Sequence, residues 1–203
     1  METHIIDFCT AVLAAIIVMV LHELPKTLVF YNMDQDTSKS SLKNALKIQH
    51  YIDPIGLIFC VATYGGFSKP YMYRIKDKKL NKTLGITGLL SLIVVFLLSA
   101  FALKLLFGVV VTNKGFSYNA KMSKIAVCGM YLCFNLAFMS IGMFLVNLFP
   151  IATFDMGNIL AGVSPMKFYE FLRKDYFIKI LLLFVLMLRI TTSIAEIMLS
   201  LVL

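Results

Sequence analysis

Four long apolar blocks, parted by short polar stretches rich in lysine, decide most of what this chain can fold into. They cover about residues 5–31, 84–106, 125–149 and 177–203. Each reaches the ~20 apolar residues a helix needs to cross the hydrocarbon of a bilayer. There every backbone amide must find its partner inside the chain, which makes the helix the spanning form for segments of this length. The sequence therefore predicts an all-α integral membrane protein, a bundle of about four transmembrane helices forming one domain over residues 1–203. Composition agrees. The chain is 60% hydrophobic and 15% charged, against roughly 25% charged in a soluble domain.

Two further stretches are apolar but interrupted. From Ile55 to Tyr64 there are too few residues for a helical crossing, and Pro150 to Gly157 mixes proline, glycine and a lone carboxylate into an apolar run. Residues 52–66 and 150–163 are expected to be re-entrant or interfacial, since irregular backbone at membrane depth must face protein or water. Met166 to Lys179 reads as an amphipathic connection of mixed charge.

The net charge of +8 does not imply nucleic acid, because the basic residues fall in loops between apolar blocks. With the N-terminus outside, Lys39 through Lys82 hold nine Lys/Arg and Lys167 through Lys179 hold four, against three in the 112–124 turn. That bias orients the chain with its first and last loops in the cytoplasm, as expected of a multi-pass plasma-membrane protein. The stretch 67–82, with Lys69, Arg74, Lys76, Lys78, Lys79 and Lys82 opposed by Asp77 alone, suits anionic lipid, and Tyr71 and Tyr73 suit the headgroup zone. Cys9, Cys60, Cys128 and Cys133 lie in or beside apolar segments without Cys-x-x-Cys spacing and read as buried hydrophobes. The first block has no basic region before it and no small-residue cleavage site after it, and is read as a retained span.

Against this background the inner end of the first block is unusual. It carries Leu21-His22-Glu23-Leu24-Pro25-Lys26. Pro25 removes the hydrogen bond to the carbonyl of Leu21, so this end of the span is expected to face protein, water or a ligand. His22-Glu23 begins a His-Glu-x-x-His pattern, in which two histidines on one helical face bind zinc and the glutamate acts on the metal-bound water. Lys26 stands where the second histidine belongs. Glu23 and Lys26 are three apart on one helix and close enough to pair. His4, about five turns away, is at the wrong end of the span.

Three later segments extend the pattern: His50-Tyr51-Ile52-Asp53-Pro54-Ile55-Gly56, Gly66-Phe67-Ser68-Lys69-Pro70, and Asn147-Leu148-Phe149-Pro150-Ile151-Ala152-Thr153-Phe154-Asp155-Met156-Gly157. With the first motif they resemble, in order, the conserved segments of the compact branch of the site-2 protease family, intramembrane zinc metalloproteases. The resemblance covers His22 to about Pro165. It implies a site-2-protease-like bundle with His22 and Asp155 as zinc ligands, Glu23 as general base, and Asn147, Pro150, Asp53 and Pro54 shaping the motifs. It also implies membrane-embedded protein segments as substrates or partners.

The departures fall on the metal site. Besides Lys26, the family's Gly-Pro-x-x-Asn is Gly88-Leu89-Leu90-Ser91-Leu92 here, Ala152 replaces the second proline of the late motif, and Met156 is inserted before Gly157. His50 is the one other candidate for a third ligand. An ammonium at Lys26, between Glu23 and Asp155, would balance two carboxylates as zinc does in the family. The sequence thus carries two expectations: a metallopeptidase with zinc-dependent activity weakened or lost, or a non-catalytic pseudoprotease that binds or regulates membrane proteins. Arg189 and Glu196, two turns apart on one face of the last block, are expected to pair within the bundle, with a role toward substrate as the alternative.

Overall fold

A computed structural model describes residues 2–33, 47–70, 77–112 and 120–202. Its elements are α1 (Glu2–Met33), a 3-10 turn (Ile48–His50), α2 (Pro54–Thr63), α3 (Lys78–Thr112), α4 (Ala120–Asn147), α5 (Asp155–Val163), α6 (Pro165–Arg173), α7 (Asp175–Met187) and α8 (Ile190–Val202). The described residues form helices, turns and connecting segments, without a strand. The polar stretch 34–46, with Lys39, Lys43, Asp34 and Asp36, lies outside the described residues, as do Tyr71, Tyr73, Arg74 and Lys76 in the basic stretch and Lys114 in the turn before α4.

Among the described residues three helices are long and apolar enough to cross a membrane: His4–Met33, Lys78–Phe107 and Ile125–Asn147. The fourth apolar block is two helices, α7 and α8, bent by 59°. Arg189 sits at the break with φ of 55°, in the left-handed region that a bulky L-residue adopts only at a cost. Its side chain and that of Glu196 are both exposed, and no ion pair among the described residues joins them, contrary to the pairing expected from sequence. The reason is geometric, because the bend removes the continuous helical face that would carry both.

The core is built where α1, α3 and α4 meet. Ala11, Ala14, Ala15, Val18 and Met19 of α1 pack with Cys60, Leu92, Met139 and Met143. Alanines along α1 let the helices approach closely, the device that replaces hydrophobic drive between helices in lipid. One face of α7 (Ile178, Leu182, Leu186) covers Val146, Ile151 and Phe154. Ala195 and Leu199 of α8 continue the covering over Ala137, Phe138 and Ile141. Outside, α3 presents Leu97, Leu98, Phe101 and Leu105, an apolar exterior that suits lipid and not water.

The two short apolar helices have clear local causes. Asp53 caps α2, its Oδ1 accepting from the amides of Ile55 at 2.9 Å and Gly56 at 2.8 Å, and Pro54 takes the first helical position. At the other end Tyr64 turns the chain with φ of 55°. α5 begins at Asp155 after the turn 150–154, where Phe154 N donates to the carbonyl of Ile151 at 3.0 Å. Just before that turn, Asn147 Nδ2 donates to the carbonyl of Met143 at 2.9 Å, closing the end of α4.

Candidate functional site

Among the described residues, five polar side chains from three separate parts of the chain meet inside this apolar bundle. α1 contributes His22, Glu23 and Lys26, each 1% exposed; the segment after α2 contributes Ser68; α5 contributes Asp155, which is wholly buried. α1 runs through Pro25 without interruption as a helix. The spacing of one and four positions therefore turns His22, Glu23 and Lys26 to the same interior side.

Lys26 is the centre of the group. Its Nζ lies 2.7 Å from Glu23 Oε1 and donates to Asp155 Oδ1 at 2.9 Å. His22 Nε2 lies 2.7 Å from Asp155 Oδ2, and since a carboxylate only accepts, Nε2 carries the hydrogen. On the other side of the ring, Nδ1 is 2.7 Å from Ser68 Oγ and 3.3 Å from Glu23 Oε1. Ser68 Oγ in turn donates to Glu23 Oε1 at 2.8 Å. Both oxygens of Asp155 and both ring nitrogens of His22 are thus engaged.

The surroundings fix these positions. Asp155 opens α5, where the unsatisfied amides of a first helical turn favour a negative charge. Burial alone would raise its pKa, but Lys26 and His22 overcome that and lower it to about 2. The carboxylate rests on α3 at Gly88, where a Cβ would fall 2.3 Å from Oδ2 and 2.4 Å from Oδ1; one turn earlier, a Cβ on Gly85 would meet the Asp155 carbonyl at 2.4 Å. Any larger side chain at these two glycines would push α5 away. Ser68 is placed by the backbone, since the amide of Lys69 donates to the carbonyl of Tyr51 at 3.0 Å. Tyr51 is itself fully buried and donates its hydroxyl to Thr27 Oγ1 at 3.0 Å, tying the segment to α1.

The structure brings His22, Glu23, Lys26 and Asp155 together. His50 ends the 3-10 turn with its side chain exposed. Asp53, Pro54 and Asn147 shape element ends and stand outside the polar group. Ser68 was not singled out from sequence. Its segment was, through Gly66 to Pro70, but a lone serine in a loop gives no sign that it will bridge a histidine and a glutamate.

Do these residues fit zinc? A catalytic zinc takes three protein ligands and keeps an open position for water. Here His22 Nε2 and Asp155 Oδ2, the two atoms best suited to a metal, are bonded to each other. The space in front of both carboxylates holds an ammonium, which would repel a second cation. Among the described residues no group of three or more His, Cys, Asp or Glu is arranged to hold a metal ion. The donor set does not fit.

Compared with protein-family models, curated proteins and solved structures, the chain matches none.

Proposed function

We propose that this chain is a degenerate site-2-protease-like membrane protein in which the Lys26 ammonium stands in for zinc. On this reading zinc-dependent proteolysis of membrane-embedded segments is weakened or lost, and the bundle serves to bind or regulate membrane protein partners. The chain would lie in the plasma membrane with its N-terminus outside and the polar group toward the cytoplasmic side, in keeping with the lysine-rich loops.

The observation that carries the reading is the position of Lys26 Nζ, 2.7 Å from Glu23 and 2.9 Å from Asp155. Two carboxylates at this depth need a positive charge between them, because an unpaired buried ion costs several kcal/mol. A lysine three residues after Glu23 supplies one from the same helix. Replacing Lys26 by His tests the idea through zinc content. The variant should gain zinc while the unaltered chain has none, and zinc at one per chain in the unaltered protein would sink the reading.

A further inference from the structure

Replacing the metal leaves one part of the polar group without an assigned role, the hydroxyl of Ser68. It sits 2.7 Å from His22 Nδ1, and the opposite ring nitrogen is 2.7 Å from Asp155 Oδ2. Hydroxyl, imidazole and carboxylate therefore stand in the order that activates a serine for acyl transfer, with the ring fixed from its far side. Glu23 Oε1, 2.8 Å from the hydroxyl and 3.3 Å from Nδ1, adds a negative charge where an imidazolium would form.

The hydroxyl also has somewhere to act. Ser68 lines a cavity of about 340 Å³ between α2, α7 and the turn 150–154, walled by Phe59, Phe67, Phe154, Leu182 and Leu186. That size lies at the lower end of the roughly 300–1,000 Å³ of small-molecule sites. The walls are aromatic and aliphatic, while Asp53, Thr153 and Lys179 supply the polar part of the lining. A long acyl chain fits such walls, and its carbonyl would meet the one buried hydroxyl among them.

We propose that Ser68 is the nucleophile of a metal-free acyl-transfer site, with His22 as its base and Asp155 positioning the ring, acting on an ester with a long apolar acyl chain. Ser68 Oγ turns its one hydrogen from Glu23 Oε1 to His22 Nδ1 and bonds to the carbonyl carbon as that proton passes over. The bond to the alcohol oxygen then breaks, and that oxygen takes the proton from Nδ1. Water repeats the sequence on the acyl-serine, giving its proton to Nδ1 while its oxygen bonds to the carbonyl carbon. The Ser68 ester bond breaks, Ser68 recovers its proton, and the free acid leaves. The proposal goes beyond the ammonium-for-zinc reading, sharing with it a site without metal.

The test uses the full chain in detergent and a long-chain alkyl fluorophosphonate, which forms a stable bond to an activated serine. Intact mass and peptide mapping should find one adduct per chain, on Ser68, formed equally fast with a metal chelator present. Ser68→Ala should take none, and His22→Gln should react at least about 100-fold more slowly, the lower range for loss of a general base. No adduct at Ser68, an unchanged rate in His22→Gln, or loss of labelling with chelator would each overturn the proposal. Should His22→Gln not fold, presence or absence of the Ser68 adduct in the unaltered chain still decides. Metal analysis of the same preparation keeps the two readings apart, since bound zinc counts against the reading under Proposed function whatever the label shows.

Discussion

α1 carries a polar group near each end, one buried and one partly buried, and the two are built on different principles. Toward the C-terminus of α1, His22, Glu23 and Lys26 join Ser68 and Asp155 through contacts of 2.7–2.9 Å. Toward its N-terminus, Asn135 of α4 reaches Asp7 Oδ1 at 3.3 Å and Thr10 Oγ1 at 3.2 Å, and its own Oδ1 is buried without a partner among the described residues. The first group couples opposite charges across three segments. The second is a pair of long hydrogen bonds between two helices. Where buried charges are paired, losing one partner strands the other, whereas Asp7 and Thr10, both partly exposed, lose less with a long hydrogen bond.

This contrast orders the effects of substitution. Lys26→Met keeps the length of the side chain and removes its charge, leaving Glu23 and Asp155 facing each other. A loss of about 3–5 kcal/mol is expected in detergent unfolding, the range for breaking a buried pair from one side. Adding Glu23→Gln should recover part of it. A change under about 1 kcal/mol in Lys26→Met alone would remove the distinction between the two ends. Gly88→Ala comes next. The added methyl meets both oxygens of Asp155, so about 1–3 kcal/mol of overpacking is expected, together with weaker protection of α5 amides in hydrogen exchange.

The group around Asn135 should respond least. Asn135→Leu is expected to change stability by under about 1 kcal/mol, close to the average of roughly 0.6 kcal/mol for hydrogen bonds inside membrane bundles. Acid gives a finer separation. The pKa of Asp155 is lowered to about 2 from 3.8. Its contribution is therefore fully present above the unfolded value and fades as pH falls through 4 toward 2. Unfolding of the unaltered chain should lose stability over that interval, and Asp155→Asn, already weakened, should show a shallower acid limb. Parallel acid limbs in the two proteins would assign the effect to other carboxylates.

How much of this was readable from sequence depended on the range over which each feature acts. The three long spans are set by composition over ~20 residues, and the helices His4–Met33, Lys78–Phe107 and Ile125–Asn147 lie where the apolar blocks are. The pairing of Glu23 with Lys26 is a local spacing on one helix and was equally legible. Asp155, 129 positions from Lys26, could be brought to the same point only through the resemblance, since no periodicity links them.

The break at Arg189 escaped because the apolar pattern is unchanged on both sides of it. A single left-handed residue bends the chain without altering hydropathy. Ser68 escaped for a different reason. Its position depends on a backbone hydrogen bond from Lys69 to Tyr51 and on Tyr51 reaching Thr27, contacts that a serine's identity does not encode. Gly88 was read as the remnant of a family motif, yet its physical role is specific. It makes the room on α3 in which the Asp155 carboxylate sits.

On the proposed reading the Lys26 ammonium balances Glu23 and Asp155 where the resembled proteases use zinc. The most direct measurement is the metal content of the detergent-purified chain by mass spectrometry, with His22→Ala and Asp155→Ala beside it. A folded chain without stoichiometric zinc is expected. One zinc per chain, lost in both variants, would contradict it.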